Sequence, residues 1–209
     1  MRPFCYYGKG DEMKENKKGL ILASGSPRRR ELLGMLGVPF EVIVSDAEEK
    51  VISTDPVKVT EQLSEQKAMA VANEIPDGIV IGADTVVAVD GKILGKPSDE
   101  EEAKKMLRLL QGHFHMVYTG VTLVKKESGQ KKKEVRTFSV GTKVYVAPMT
   151  DEEILHYVQS GDCMDKAGAY GIQGIFCRHI EGIEGDYFNV VGLPVHRLYE
   201  ELKKIRKMM

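Results

Sequence analysis

The run Leu20–Leu33, Leu-Ile-Leu-Ala-Ser-Gly-Ser-Pro-Arg-Arg-Arg-Glu-Leu-Leu, constrains the fold of this chain more than any other stretch. Leu20, Ile21 and Leu22 read as a short buried strand, Gly25 permits a tight turn, and Ser26 followed by Pro27 is an N-cap and first-turn pair for a helix. A strand therefore runs through one turn into a helix start. The unpaired N–H groups and positive dipole end of that helix, with the forked donors of Arg28 and Arg29, outline a polyanion site. The same residues also describe a capped surface helix whose arginines are merely solvated, and the stretch alone does not choose between the two readings.

Downstream, strand and helix signals intermingle without strict alternation, which predicts a mixed α/β sheet with flanking helices. Gly37 is placed as a C-cap, and Pro39–Ser45 reads as a second strand with Phe40, Val42 and Val44 on alternate positions. Pro56–Asn73 has a helical pattern, with Val59, Leu63, Ala70 and Val71 near one face. Ile79–Val89 is rich in β-branched residues, and Asp90-Gly91 signals a hairpin before Lys92–Leu94. Ser98 with Glu101 reads as a capping box for a helix that buries Ala103, Met106, Leu107 and Leu110. His113–Lys126 and Lys131–Ala147 read as long strands joined at Ser128-Gly129, and Thr150 with Glu153 caps a helix that Gly161 closes. Asp165–Gly174 has too many glycines for a helix or strand interior and reads as a loop whose backbone approaches something closely. Ile175–Ile180 and Tyr187–Val191 read as short strands, and Pro194 opens a terminal helix running to about Lys207. No repeat or low-complexity linker divides the chain, so residues 19–209 are expected to form one domain behind a polar, loosely ordered leader at 1–18.

The chain of 209 residues carries 30 Lys and Arg against 31 Asp and Glu, for a net charge of −1, so a polyanion must be held by a local cluster and nucleic acid is not an expected partner. Cys5, Cys163 and Cys177 lack Cys-x-x-Cys spacing and read as reduced thiols. No run approaches the ~18 apolar residues of a membrane span, and a cytoplasmic protein is expected.

The segment Gly91-Lys92-Ile93-Leu94-Gly95-Lys96-Pro97 resembles a P-loop but is too short between its glycines and has Pro where a magnesium-binding Ser or Thr belongs. Lys96 can still meet a phosphate as a mobile point charge. Asp84 interrupts the apolar strand Ile81–Val87, where a carboxylate needs a cation, a metal or hydrogen-bond donors, and a structural ion pair meets that need as well as a catalytic one. Glu48 and Glu49 could supply a second metal-binding carboxylate or form a solvated acidic loop, whereas His113 and His115, alternating on one strand face, lack a third ligand. Together Arg28, Arg29, Lys67, Lys96 and Lys166 can neutralise a polyphosphate while Asp84 and a nearby Glu hold a hard divalent ion, which is the balance phosphoryl chemistry needs.

The segments Ala-Ser-Gly-Ser-Pro-Arg-Arg at 23–29, Gly-Ala-Asp-Thr-Val-Val at 82–87, Gly-Lys-Pro at 95–97 and Asp-Lys-Ala-Gly-Ala-Tyr-Gly-Ile-Gln-Gly at 165–174 resemble those of the Maf family, in family order. The resemblance implies two lobes around a cleft, similar in fold to inosine triphosphate pyrophosphatase, in a homodimer using magnesium or manganese. It implies hydrolysis of a nucleoside triphosphate to monophosphate and pyrophosphate, in nucleotide-pool housecleaning. It casts Asp84 as general base or metal-bound acid, Glu49 as a further metal carboxylate, and Ser24, Ser26, Arg28, Arg29, Lys67, Lys96 and Lys166 as substrate ligands. Arg28, Thr85 and Gln173 fall where the dTTP- and UTP-hydrolysing subgroup carries its specificity residues. The alternatives are a relative acting on 7-methyl-GTP or inosine triphosphate, and a nucleotide-binding regulator of septum formation without turnover.

Overall fold

The computed structural model describes residues 19–130 and 132–207, so the leader and Cys5 lie outside the described residues. Its sheet has seven strands: β1 (Leu20–Leu22), β2 (Phe40–Val42), β3 (Gly78–Val89), β4 (Lys92–Leu94), β5 (Phe114–Lys126), β6 (Glu134–Val146) and β7 (Ile180–Glu184). The order is β2-β1-β3-β5-β6-β7, with β4 paired to β3. β1 pairs in parallel with β2 and β3, and the remaining pairs are antiparallel, which is the expected mixed sheet.

The parallel end follows from two helical crossovers. Helix α1 (Pro27–Gly34) carries the chain from β1 out to β2, and α2 (Pro56–Glu74) returns it past β1 to β3. Strand order therefore reverses at β1, and a crevice opens at its carboxyl end, the place where open α/β sheets take ligands. Alternation along the strands separates the faces. Leu20, Leu22, Ile79 and Ile81 pack with Leu32 and Leu33 of α1 and with Leu198, Leu202 and Ile205 of the terminal helix α6 (Val195–Lys207). Ile21, Ala23 and Val80 pack on the opposite face against Ala68, Val71 and Ala72 of α2.

A second core cluster lies toward the other end of the long strands. There Val87, Val89, Val117, Val144 and Val146 pack against Ala103, Met106, Leu107 and Leu110 of α3 (Glu100–Leu110) and Ile154, Tyr157 and Val158 of α4 (Asp151–Gln159). Ile172, half-buried, touches both clusters, and a cleft of about 720 Å³ opens between them. The two lobes are thus two cores built on one sheet.

Several local expectations hold and others need correction. Ser26 caps α1 by accepting the Arg29 N–H, and Thr150 with Glu153 forms a complete capping box. The cap of α3 lies one residue later than expected: Asp99 accepts the Glu102 N–H, and the Glu102 carboxylate reaches back to the Ser98 N–H and hydroxyl. β2 ends at Val42, leaving Val44 63% exposed at the cleft, because beyond that point no second face buries the strand. Residues Ile175–His179 form a 3-10 turn and Tyr187–Val191 a short helix, α5, capped by Asp186; here the capping carboxylate and tertiary packing override β-propensity. His113 and His115 do not form a metal pair: His113 bonds the Leu109 carbonyl, while His115 is buried against the Tyr170 hydroxyl at 2.7 Å and is pushed by burial down to about 4.

Candidate active site

The cleft gathers its side chains from both crossovers and from the far lobe. Of the residues singled out as ligands or catalysts, Ser24, Ser26, Arg28, Arg29, Glu49, Lys67, Asp84, Thr85, Lys96, Lys166 and Gln173 line it. Glu48 does not; it pairs with Lys50 at 3.0 Å and is mostly exposed.

On the α2 face of β3, Asp84 Oδ1 lies 2.5 Å from the Lys67 ammonium, which is also 2.9 Å from Glu49 Oε1. This approach depends on glycine. A Cβ on Gly82 would sit 2.7 Å from the Ala68 amide nitrogen and closer still to the Ser64 carbonyl oxygen, and one on Gly120 would collide with the Thr60 backbone. The α2 backbone therefore lies directly on the sheet beside Asp84, whose register partner is Gly120. Two carboxylates converge on one cation position, a donor set that fits a hard divalent ion completed by phosphate oxygens. Among the described residues no cluster of three or more His, Cys, Asp or Glu forms a self-sufficient metal cage.

On the opposite face, Arg29 is braced on three sides. Nε donates to the Gly192 carbonyl at 2.9 Å, Nη1 to Ser24 Oγ at 3.3 Å and Nη2 to Thr85 Oγ1 at 3.0 Å. Burial draws this guanidinium below its ordinary value, opposed by the nearby Asp84 charge. Thr119 donates its single proton to the Asn189 carbonyl, so the 2.9 Å contact between Thr85 and Thr119 must run from Thr85. The Thr85 hydroxyl is thus committed at both ends, donating to Thr119 and accepting from Arg29.

Arg28 points across the cleft to Asp165, Nη1 to Oδ2 at 2.9 Å, linking α1 to the glycine-rich segment. Burial pushes the Asp165 carboxyl up, but hydrogen bonds from Lys166 and Arg28 outweigh it and hold the group below the usual carboxylate range. Lys166 is held by Asp165 at 2.6 Å and Asp162 at 3.1 Å, whereas Lys96 is exposed and makes no ion pair or hydrogen bond among the described residues. Gln173 likewise stands exposed at the cleft without a protein partner.

The close approach expected of the glycine-rich loop is made to the protein itself. A Cβ on Gly168, at φ +69°, would meet Val87 at 2.8 Å, and Cβ atoms on Gly171 and Gly174 would strike Lys166 and Asp162. Asp165 as the partner of Arg28, the Gly192 carbonyl and the helix-facing glycines Gly82 and Gly120 lie beyond the sequence reading. The glycines carried a signal, since a glycine inside a β-branched strand marks a bulge or a close backbone approach.

Fold and cleft together define an α/β protein with a site of facing carboxylates and cations suited to polyphosphates. A family match described as Maf-like protein spans residues 19–205, and the chain belongs to the Maf family. It is 54% identical over 185 residues to a protein of Carboxydothermus hydrogenoformans named dTTP/UTP pyrophosphatase, covering 88% of this chain and 97% of that one. A protein of the same name from Lachnoclostridium phytofermentans is 50% identical over 187 residues, covering 88% and 94%. The solved structure of the Staphylococcus aureus Ham1 protein shares a looser likeness, with TM-score 0.45 and 18% identity over 62% of this chain and 72% of that one. No helix among the described residues is long and apolar enough to cross a membrane.

Proposed function

We propose that this chain hydrolyses dTTP and UTP to the nucleoside monophosphate and pyrophosphate, with a divalent metal, and so clears the nucleotide pool. The observation that carries the reading is the convergence of Asp84 and Glu49 on Lys67 inside a cleft whose other wall holds Arg28, Arg29 and Lys96. The names of the relatives, at 50–54% identity, support the substrate class. Family resemblance adds a homodimer and a cytoplasmic location to the reading.

In this mechanism the triphosphate lies across the α1 N-terminus, and its oxygens compete with Asp165 for Arg28. Asp84 accepts the proton of the attacking water as the bond between the α phosphate and the pyrophosphate breaks. Negative charge moves onto the leaving pyrophosphate, where Arg28, Lys96 and the braced Arg29 neutralise it. Asp84 and Glu49 would hold magnesium or manganese, which supplies electrostatic stabilisation of phosphate oxygens. Lys67 neutralises the two carboxylates in the resting site.

Arg28→Ala and Lys96→Ala are each expected to lower kcat/KM by on the order of tenfold or more, since both remove a charge that meets the leaving group. The Lys96 variant should also keep its melting temperature, because that exposed side chain makes no hydrogen bond or ion pair among the described residues. Wild-type kcat/KM in both variants would remove the cations from the phosphate site.

The decisive experiment is a panel of nucleoside triphosphates with magnesium or manganese, read by pyrophosphate release and by the nucleotide product. Orthophosphate release alone would rule out cleavage between the α and β phosphates. The same panel tests base selection. Gln173 offers a donor and an acceptor that match the O4 and N3–H edge shared by uracil and thymine, and its free amide at the cleft supports that role. Gln173→Ala is expected to narrow the preference for dTTP and UTP over purine triphosphates by roughly 2- to 12-fold, matching ~0.5 to 1.5 kcal/mol for one net hydrogen bond. An equal loss on every base would instead make Gln173 a structural or general catalytic residue.

A further inference from the structure

Residues 43–55 run from β2 to α2 without regular secondary structure, yet they must present Glu49 to the cleft. Beyond the local turn in which Ser45 accepts the Ala47 N–H, both hydrogen bonds that anchor residues 46–52, among the described residues, come from one side chain. The Lys50 N–H donates to Gln66 Oε1 at 2.9 Å, and Gln66 Nε2 donates to the Lys50 carbonyl at 2.7 Å. A side-chain amide carries its donor and its acceptor on two adjacent atoms, as a peptide group does, so Gln66 pairs with the N–H and carbonyl of Lys50 as a neighbouring strand would. The next residue of α2 is Lys67, which holds Glu49 at 2.9 Å.

We propose that Gln66 is a positioning residue: it pins the Lys50 backbone and thereby sets the Glu49 carboxylate toward Lys67 and Asp84. The ion pair cannot do this by itself. Lys67 is only 17% exposed and already held by Asp84, but Glu49 is 54% exposed, and a pair whose carboxylate sits half in solvent contributes little against the freedom of an unstructured loop. Fixing the backbone one residue away removes most of that freedom before the carboxylate is engaged. The catalytic consequence rests on the function proposed above; the anchoring itself does not.

The test uses the full chain with Gln66→Met, which keeps side-chain length and helix propensity but removes the amide. Amide hydrogen exchange at Lys50 is expected to quicken by about tenfold or more, with the melting temperature unchanged. On dTTP, kcat/KM should fall about tenfold, but less than about twofold further when Gln66→Met is added to Glu49→Gln, because the first change acts through the second residue. A residue that merely braced the fold would lower the melting temperature and would reduce activity in both backgrounds alike. Unchanged exchange at Lys50, or losses that multiply, would overturn the proposal. Should the wild-type chain hydrolyse no triphosphate, the proposed function falls, and exchange at Lys50 alone then decides whether Gln66 anchors the loop.

Discussion

Asp84→Asn is expected to lower kcat by on the order of 10² or more while the protein remains folded. The carboxylate is largely buried, its side chain 14% exposed, on a strand whose other residues, Thr85 apart, are apolar or glycine, and it faces an ammonium at 2.5 Å. Asn keeps the shape and can still accept a hydrogen bond from Lys67, so the packing of α2 on β3 is preserved. It cannot take a proton from water or contribute a charged ligand to a cation. Glu49 remains beside Lys67 in the variant, so the ammonium is not left without a carboxylate. The checks are steady-state kinetics on dTTP and a thermal melt of the same sample. Near-normal turnover in a folded variant would remove Asp84 from the chemistry.

Gly82→Ala is expected to destabilise the fold by about 3 kcal/mol or more, seen as a melting temperature lower by roughly 6–12 °C for a chain of this size. The added methyl has no room, because it would overlap the Ser64 carbonyl and lie within 2.9 Å of both the Ala68 amide nitrogen and its Cβ. Backbone cannot move aside as the end of a flexible side chain can, so α2 must lift from the sheet. That shift carries Lys67 away from Asp84, and activity should fall with stability. Gly34→Ala is the control: a Cβ there meets nothing within 4 Å, and its melting temperature should match or exceed wild type. A Gly82→Ala protein with an unchanged melt would show that α2 does not rest on the strand as described.

Features that depend on near neighbours were legible in the residues. Ser26-Pro27 at the start of α1, the Thr150–Glu153 capping box and the Asp90-Gly91 hairpin are each settled by bonds spanning a few residues. Where two local solutions compete, the reading fails: Ser98–Glu101 and Asp99–Glu102 are equally good capping pairs by spacing, and only the structure selects the second. Tyr187–Val191 fails for another reason. Its aromatic and β-branched residues favour a strand, but the Asp186 cap and the burial of Asn189, which donates to the Val117 carbonyl and Thr142 hydroxyl, hold it as a helix.

Most strands and helices, the phosphate-type helix start and the charged residues Arg28, Arg29, Lys67, Asp84, Lys96 and Lys166 of the cleft were legible in the residues themselves, whereas the roles of Thr85 and Gln173 came from the family resemblance. The former were legible because caps, turns and hydrophobic periodicity act over short chain separations, and because charged residues inside apolar segments stand out. Which of those residues are free and which are committed was decided by tertiary structure. Lys67 and Asp84 are 17 residues apart, Arg28 and Asp165 are 137 apart, and Arg29 and Gly192 are 163 apart. No local rule encodes such partners; they meet because two crossovers reverse at β1 and because Gly82 and Gly120 let a helix backbone lie flat on the sheet. Arg29 and Thr85 thereby become mutual braces, while Lys96 and Gln173 are left open to the cleft.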